Sequence, residues 1–149
     1  MEKFLLVILC AFVYTASAYP VSDCGSTLGK LLKLSVSSCK AQDPICQIPR
    51  GSNVTVDIDF IPFKEESQIL TVVTALADGS SFDLPVPQPD ACLNCGLVCP
   101  VKPGNTYRYT LSVPIPSDVP QISLTIQYEL ANPITTNDIV CLLFPVQLL

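Results

Sequence analysis

Fourteen prolines punctuate this chain, and none stands before Pro20. Proline lacks the backbone N–H and clashes with the preceding turn of a helix, so no long helix fits between its breaks. What lies between them alternates with period two, as strands do. Val54, Val56, Ile58 and Phe60 interleave with Thr55, Asp57 and Asp59. Ile122, Leu124, Ile126, Tyr128 and Leu130 do the same, as do Tyr107, Tyr109, Leu111 and Val113. Leu32, Leu34 and Val36 make a shorter case. Ile69 to Ala77 and Ile139 to Val146 are apolar on both faces, which suits central strands. Asp78-Gly79 marks a hairpin into Phe82 to Val86, and Pro49-Arg50-Gly51 and Pro103-Gly104 mark further turns. The expectation is an all-β protein, a sandwich of about seven strands.

The first eighteen residues read as an address. Lys3 precedes an apolar run from Phe4 to Tyr14, and Ala16-Ser17-Ala18 has the small-x-small form of a signal-peptide cleavage site. That run is too short for the ~20 residues that span a bilayer. Residues 1–18 are therefore expected to be a signal peptide and 19–149 one secreted domain.

The chain contains no histidine and no tryptophan. Without histidine the commonest general base and most zinc sites are gone. The carboxylates Asp57 and Asp59 share the outer row of an alternating strand, where solvent-facing acids are ordinary. Neither an enzyme, nor a metal site, nor a cofactor is expected. A net charge of −5 argues against nucleic acid. With no histidine, acid responses are expected to follow ordinary carboxylates, well below pH 6.

Of eight cysteines, Cys10 falls in the leader, and an odd number remains. In a secreted chain disulfides are the default. Spacing suggests Cys39–Cys46, one bridge within Cys92 to Cys99, and Cys24–Cys141 tying the ends together. Cys92-Leu93-Asn94-Cys95 is a C-x-x-C, but it lies between Pro89 and Pro100 and opens no helix, so a structural role is expected. Asn53-Val54-Thr55 is a glycosylation sequon, with Asn53 the acceptor. Leu84, Val86, Ile115 and Val119 sit in Pro-rich connections where a loop is ordinarily polar. They either cap the core or line a hydrophobic mouth.

Several short motifs occur together in one order: Asp23-Cys24-Gly25-Ser26, Pro85-x-Pro87-x-Pro89-Asp90-x-Cys92, Cys99-Pro100, Thr106-Tyr107-x-Tyr109 and Cys141-x-x-x-Pro145-Val146-Gln147. In this the chain resembles the ML lipid-recognition domains, a family that includes the secreted Niemann-Pick type C sterol-transfer proteins and the group-two mite allergens. The resemblance implies an immunoglobulin-like β-sandwich with a hydrophobic cavity between its sheets. It implies the bridges Cys24–Cys141, Cys39–Cys46 and Cys92–Cys99, with Cys95 left free. It places Leu84, Ile115 and Val119 at the cavity mouth, and Tyr128 and Leu142 where the sterol carrier has tryptophan.

The function so implied is a monomeric lipid carrier, outside the cell or in the endosomal–lysosomal lumen. Its ligand would be a sterol, a fatty acid or a similar apolar molecule, transferred by transient contact with a membrane or membrane receptor. Lys64 and Lys102 are the candidate partners for a ligand carboxylate. The alternative is an innate-immune recognition module for microbial lipid or a protein partner, for which Lys30, Lys33 and Lys40 would be the basic cluster.

Overall fold

The structure, a computed structural model, describes residues 20–40 and 42–149. The leader expected over residues 1–18 lies outside the described residues. The strands are β1 (Ser22–Asp23), β2 (Gly29–Val36), β3 (Cys46–Ile48), β4 (Asn53–Pro62), β5 (Leu70–Ala77), β6 (Ser80–Leu84), β7 (Tyr107–Pro114), β8 (Ser123–Ala131) and β9 (Asp138–Leu148). One sheet runs β1-β9-β8-β5-β6, with β3 also paired to β9; the other runs β2-β4-β7. The two pack face to face as a sandwich.

The alternation in the sequence explains the longer strands directly. In β4, Val54, Val56, Ile58 and Phe60 are buried while Thr55, Asp57 and Asp59 lie on the outer face. Ladder pairing sets Val56 against Leu111 and Ile58 against Tyr109, so β7 turns its own apolar row to the same side. In the larger sheet, Tyr128 pairs with both Val73 and Leu142, and Val73 pairs with Leu84. These four residues make one row across the inner face. Each fully buried Ile, Leu or Phe on these rows contributes about 1.5–3 kcal/mol relative to exposure.

Two expectations need correction. Strands β1 and β3, of two and three residues, are too short to show alternation and exist because β9 pairs with them. In β2 the row Leu32, Leu34, Val36 is broken, because the pairing with β4 shifts register between Leu31 and Lys33. That β-bulge turns Leu31 inward beside Leu34 and leaves Leu32 46% exposed.

Three disulfides join Cys24 to Cys141, Cys39 to Cys46 and Cys92 to Cys99, and Cys95 is free and buried. The first ties the start of the domain to the centre of β9. Beside it Gly29 passes so close to β9 that a Cβ there would stand 2.8 Å from Ile139.

Candidate functional site

The two halves of the sandwich are covered differently. Toward one end, the segment from Pro89 to Val101 folds over the gap between the sheets. Thr71 N–H donates to the Pro89 carbonyl at 2.8 Å, Ala91 N–H to Ile69 at 2.9 Å, and Thr110 N–H to Cys95 at 2.9 Å. The segment so joins β5 in one sheet to β7 in the other. Ala91, Cys95, Leu97 and Val101 are buried beneath it. Gly96 makes the turn at φ +80°, with the Arg108 carbonyl 3.1 Å from where a Cβ would be. Glu66 and Val101 exchange backbone hydrogen bonds at 3.0 and 2.9 Å. The Glu66 carboxylate, 2% exposed, accepts from Asn132 Nδ2 at 2.7 Å and so ties in the loop before β9.

Toward the other end no such cover exists among the described residues. Along β8, Leu130 and Tyr128 are buried but Ile126 and Leu124, on the same inward row, are half-buried. Along β7, Tyr109 and Leu111 are buried, whereas Val113 and then Ile115 are half-buried. Across β4 and β9 the loss goes no further: on these neighbours, Val54 opposite Val113, and Phe144 and Val146 opposite Ile126 and Leu124, stay buried. The connection from β7 to β8 crosses between the sheets here, carrying Ile115 and Val119, both half-buried.

Each expected ligand residue can be placed against this gradient. Tyr128 and Leu142 are buried neighbours in the inner row, and Leu84 is the half-buried end of that row. Val86 is half-buried just beyond Leu84, packed against the core like Ile115. Lys64 and Lys102 are exposed, and both follow the covered end of the sandwich. Lys33 lies on the outer face beside Asp59, and Lys30 lines an open groove of about 480 Å³ with Val21, Leu31 and Phe63. Neither forms a rim around the less covered end. Asp59 is held by Arg108 through two bonds at 2.7 and 3.0 Å, and Asp57 accepts from Thr110 Oγ1 at 2.6 Å. The Arg108 guanidinium holds the Asp59 carboxyl below the usual carboxylate range. Asn53 is exposed at the start of β4.

Three features escaped the sequence reading. Arg50, in the turn before β4, donates from Nη1 to the Val119 carbonyl at 3.0 Å and from Nε to the Leu149 carbonyl at 3.0 Å. It latches the crossing connection to the end of β9. Only its place in a tight Pro-Arg-Gly turn could have drawn notice, since its acceptors are backbone atoms far along the chain. Next, Thr71 Oγ1, Tyr109 Oη and Tyr128 Oη form a buried chain at 2.9 and 2.8 Å, which bridges the sheets where the covered half meets the less covered half. A threonine on the inward row of an apolar strand was the available signal.

The third is Asp138. Burial, then the neighbouring Glu129 carboxylate and Asp23, push its carboxyl up to about 7. This corrects the expectation that acid responses fall well below pH 6, because burial and like charge both disfavour ionisation. Glu129, Asp138 and the Cys141 sulfur lie within 4.8 Å of one another, but that sulfur is bonded to Cys24 and offers a metal nothing.

Comparison with known proteins agrees with this architecture. A family model described as the ML domain matches residues 18–148. The chain is 31% identical to the NPC intracellular cholesterol transporter 2 homolog a of Drosophila melanogaster, across 99% of both chains. It is 32% identical to the ecdysteroid-regulated 16 kDa protein of Manduca sexta, over 95% of this chain and 97% of that one. Among solved structures, a Niemann-Pick type C2 protein from the Japanese carpenter ant superposes with a TM-score of 0.83 at 26% identity, covering 88% of this chain and 100% of that one. Chicken MD-1, crystallised with lipid IVa, is 16% identical with a TM-score of 0.55 and shares the fold. Sequence motifs, family model and superposition converge: the chain belongs to the ML domain family.

Proposed function

We propose that this protein is a soluble carrier that takes a small apolar molecule, a sterol, a fatty acid or a relative of these, between its two sheets and transfers it. The observation that carries this reading is the parallel loss of burial along β7 and β8 toward one end. Leu124, Ile126, Val113 and Ile115 pack against the margin of the core there and are only partly buried, which is where a guest would enter between the faces. In this reading Ile115 and Val119 stand at the entrance and Tyr128 and Leu142 form the floor, while Leu84 lies level with Tyr128 and Val86 follows it toward the covered end, flanking the site on the β6 side. Relatives named as cholesterol transporters, about 30% identical over nearly their whole length, support it.

The energetics suit the task. Enclosing ~400–500 Å² of apolar ligand surface gains on the order of 10 kcal/mol before association costs. Such burial has no direction, so a single site accepts several apolar shapes. Release takes place on transient contact with a membrane or a membrane receptor.

The carrier works in an oxidising compartment, which its three disulfides require to persist. Residues 1–18 direct it there, and Asn53, exposed at a sheet end, carries an N-linked glycan. A mass loss on glycosidase treatment of the secreted protein checks that modification. The carrier reading itself is tested by exchange with a fluorescent sterol and a fluorescent fatty acid. Saturable uptake of at least one is expected, and uptake of neither overturns it.

A further inference from the structure

One aromatic ring on the inner face of the larger sheet is left in water. Phe82 stands opposite Ala75, Ala75 opposite Ile126, and Ile126 opposite Phe144, so the four form one row across β6, β5, β8 and β9. Directly opposed residues share a face of the sheet. Ala75 and Phe144 are buried, so this row faces the sandwich interior. Phe82 is nevertheless 47% exposed. Leu32 is nearly as exposed because a bulge turns it out, but β6 pairs with β5 from Val73 to Ala77 without a shift of register. Phe82 therefore belongs to a core row, and the chain supplies too little to cover it.

The unequal width of the sheets accounts for this. The larger sheet is ordered β1-β9-β8-β5-β6, whereas the smaller ends at β7. From β7, the Tyr109 hydroxyl meets those of Tyr128 on β8 and Thr71 on β5, and β6 lies one strand further out. At the covered end the segment from Pro89 to Val101 makes up the difference by bonding to both β5 and β7. Phe82 lies on the far side of Leu84 from that segment, level with half-buried Ile126. It stands at the β6 margin of the entrance, one inward position from Leu84.

We propose that Phe82 is a contact and specificity residue for the carried molecule: the guest extends past the smaller sheet onto β6, where the ring holds flat apolar molecules better than flexible chains. This rests on the carrier reading and deepens it. A guest that enters near Ile115 and reaches Tyr128 passes the row of Ile126 and Phe82 on its way. Covering the exposed part of the ring removes apolar surface from water, which favours the complex. An aromatic ring is a rigid plate that spends little conformational entropy on contact. A guest with a flat, rigid face lies on it without freezing bonds of its own, whereas a polymethylene chain must give up several torsions for the same area. Leu84, Val86, Ile115 and Val119 are aliphatic, so Phe82 supplies the flat surface at this margin.

The test has two arms. Phe82→Ala is expected to weaken binding of dehydroergosterol, a flat fluorescent guest, about tenfold, and of cis-parinaric acid, a fluorescent chain, less than about threefold. Each affinity is compared with that of the unaltered protein, so the charge of the acid cancels. The urea midpoint should barely move, because the ring is already half in water. Leu32→Ala, at a nearly equal exposure but turned away from the core, should change neither affinity. Unchanged dehydroergosterol affinity in Phe82→Ala, equal loss of both probes, or uptake of the chain alone overturns the proposal. Phe82→Trp, in a chain without tryptophan, gives the second reading. Saturation with cholesterol is expected to shift its emission to shorter wavelength, as when an indole leaves water. An unshifted band overturns the proposal, and so does a shift on concentrating the protein alone, since a second copy would then be the cover. If the unaltered protein takes up neither probe, the carrier reading falls and this falls with it.

Discussion

The covered and the less covered halves of the sandwich are built from the same strands. β7 and β8 run through both, with one alternation of apolar and polar residues from end to end. What differs is the connecting chain laid over them. At the covered end a disulfide-closed segment inserts Ala91, Cys95, Leu97 and Val101 between the sheets and bonds to both. At the other end the connection contains Pro114, Pro116 and Pro120, and is held at Ile115 by backbone bonds with Gly51 and Ser52 and at the Val119 carbonyl by Arg50. The lesson is that strand pattern makes the sandwich, while the connecting segments determine how completely each end of it is closed.

The sharpest way to break that distinction is to truncate one inward residue of β8 in each half. Leu130→Ala, in the covered half, is expected to cost about 3–4 kcal/mol by urea unfolding, and Ile126→Ala about 1 kcal/mol because its surroundings are already accessible. Equal losses would mean both halves are packed alike. At the covered end, Asn132→Ala leaves both oxygens of the buried Glu66 carboxylate without a side-chain partner; Oε1 already lacks one. A loss of about 2 kcal/mol is expected in the same assay.

At the other end, Arg50→Ala removes two hydrogen bonds from a partly exposed side chain. Stability should fall by only about 1 kcal/mol. Dissociation of a bound lipid dye, followed by stopped flow, should accelerate several-fold, and Arg50→Lys should restore part of the difference. A slower release would mean that the crossing connection does not guard the entrance.

The smallest effect concerns pH and lies on the outer face, where it should not separate the two halves at all. Asp138 has its folded-state carboxyl raised to about 7 from an ordinary value of 3.8. Its contribution to stability is therefore complete below pH 3.8 and lost as pH rises through about 7. Asp59 and Asp23, both lowered, act oppositely: their contribution is present above 3.8 and lost on further acidification. The melting temperature should accordingly rise from pH 8 to pH 5 and fall again in stronger acid. Asp138→Asn should flatten the upper limb, by on the order of 1 kcal/mol after allowing for solvent screening. An unchanged limb would remove Asp138 as its cause.

Much of this was legible in advance. The inward rows of β4, β7 and β8 are written in alternation, because one side faces a partner sheet and the other faces water. The irregular features were not. A bulge such as that between Leu31 and Lys33 is fixed by the partner strand, and β1 and β3 depend on β9, far along the chain. Of the candidate site, the aliphatic residues stood out because prolines isolate them. Arg50 and the Thr71–Tyr109–Tyr128 chain did not, since both depend on which backbone and hydroxyl oxygens the fold brings near.

The bulge in β2 bears on behaviour at high concentration. β2 is an edge strand, and a straight edge invites the corresponding edge of another copy to zip onto it. Here the kink interrupts the ladder midway, and Lys30 and Lys33 flank it with positive charge. In the other sheet the edge strand β6 is short and runs into Pro85. Leaving Leu32 in water is the local penalty for an outline onto which polymers do not readily grow.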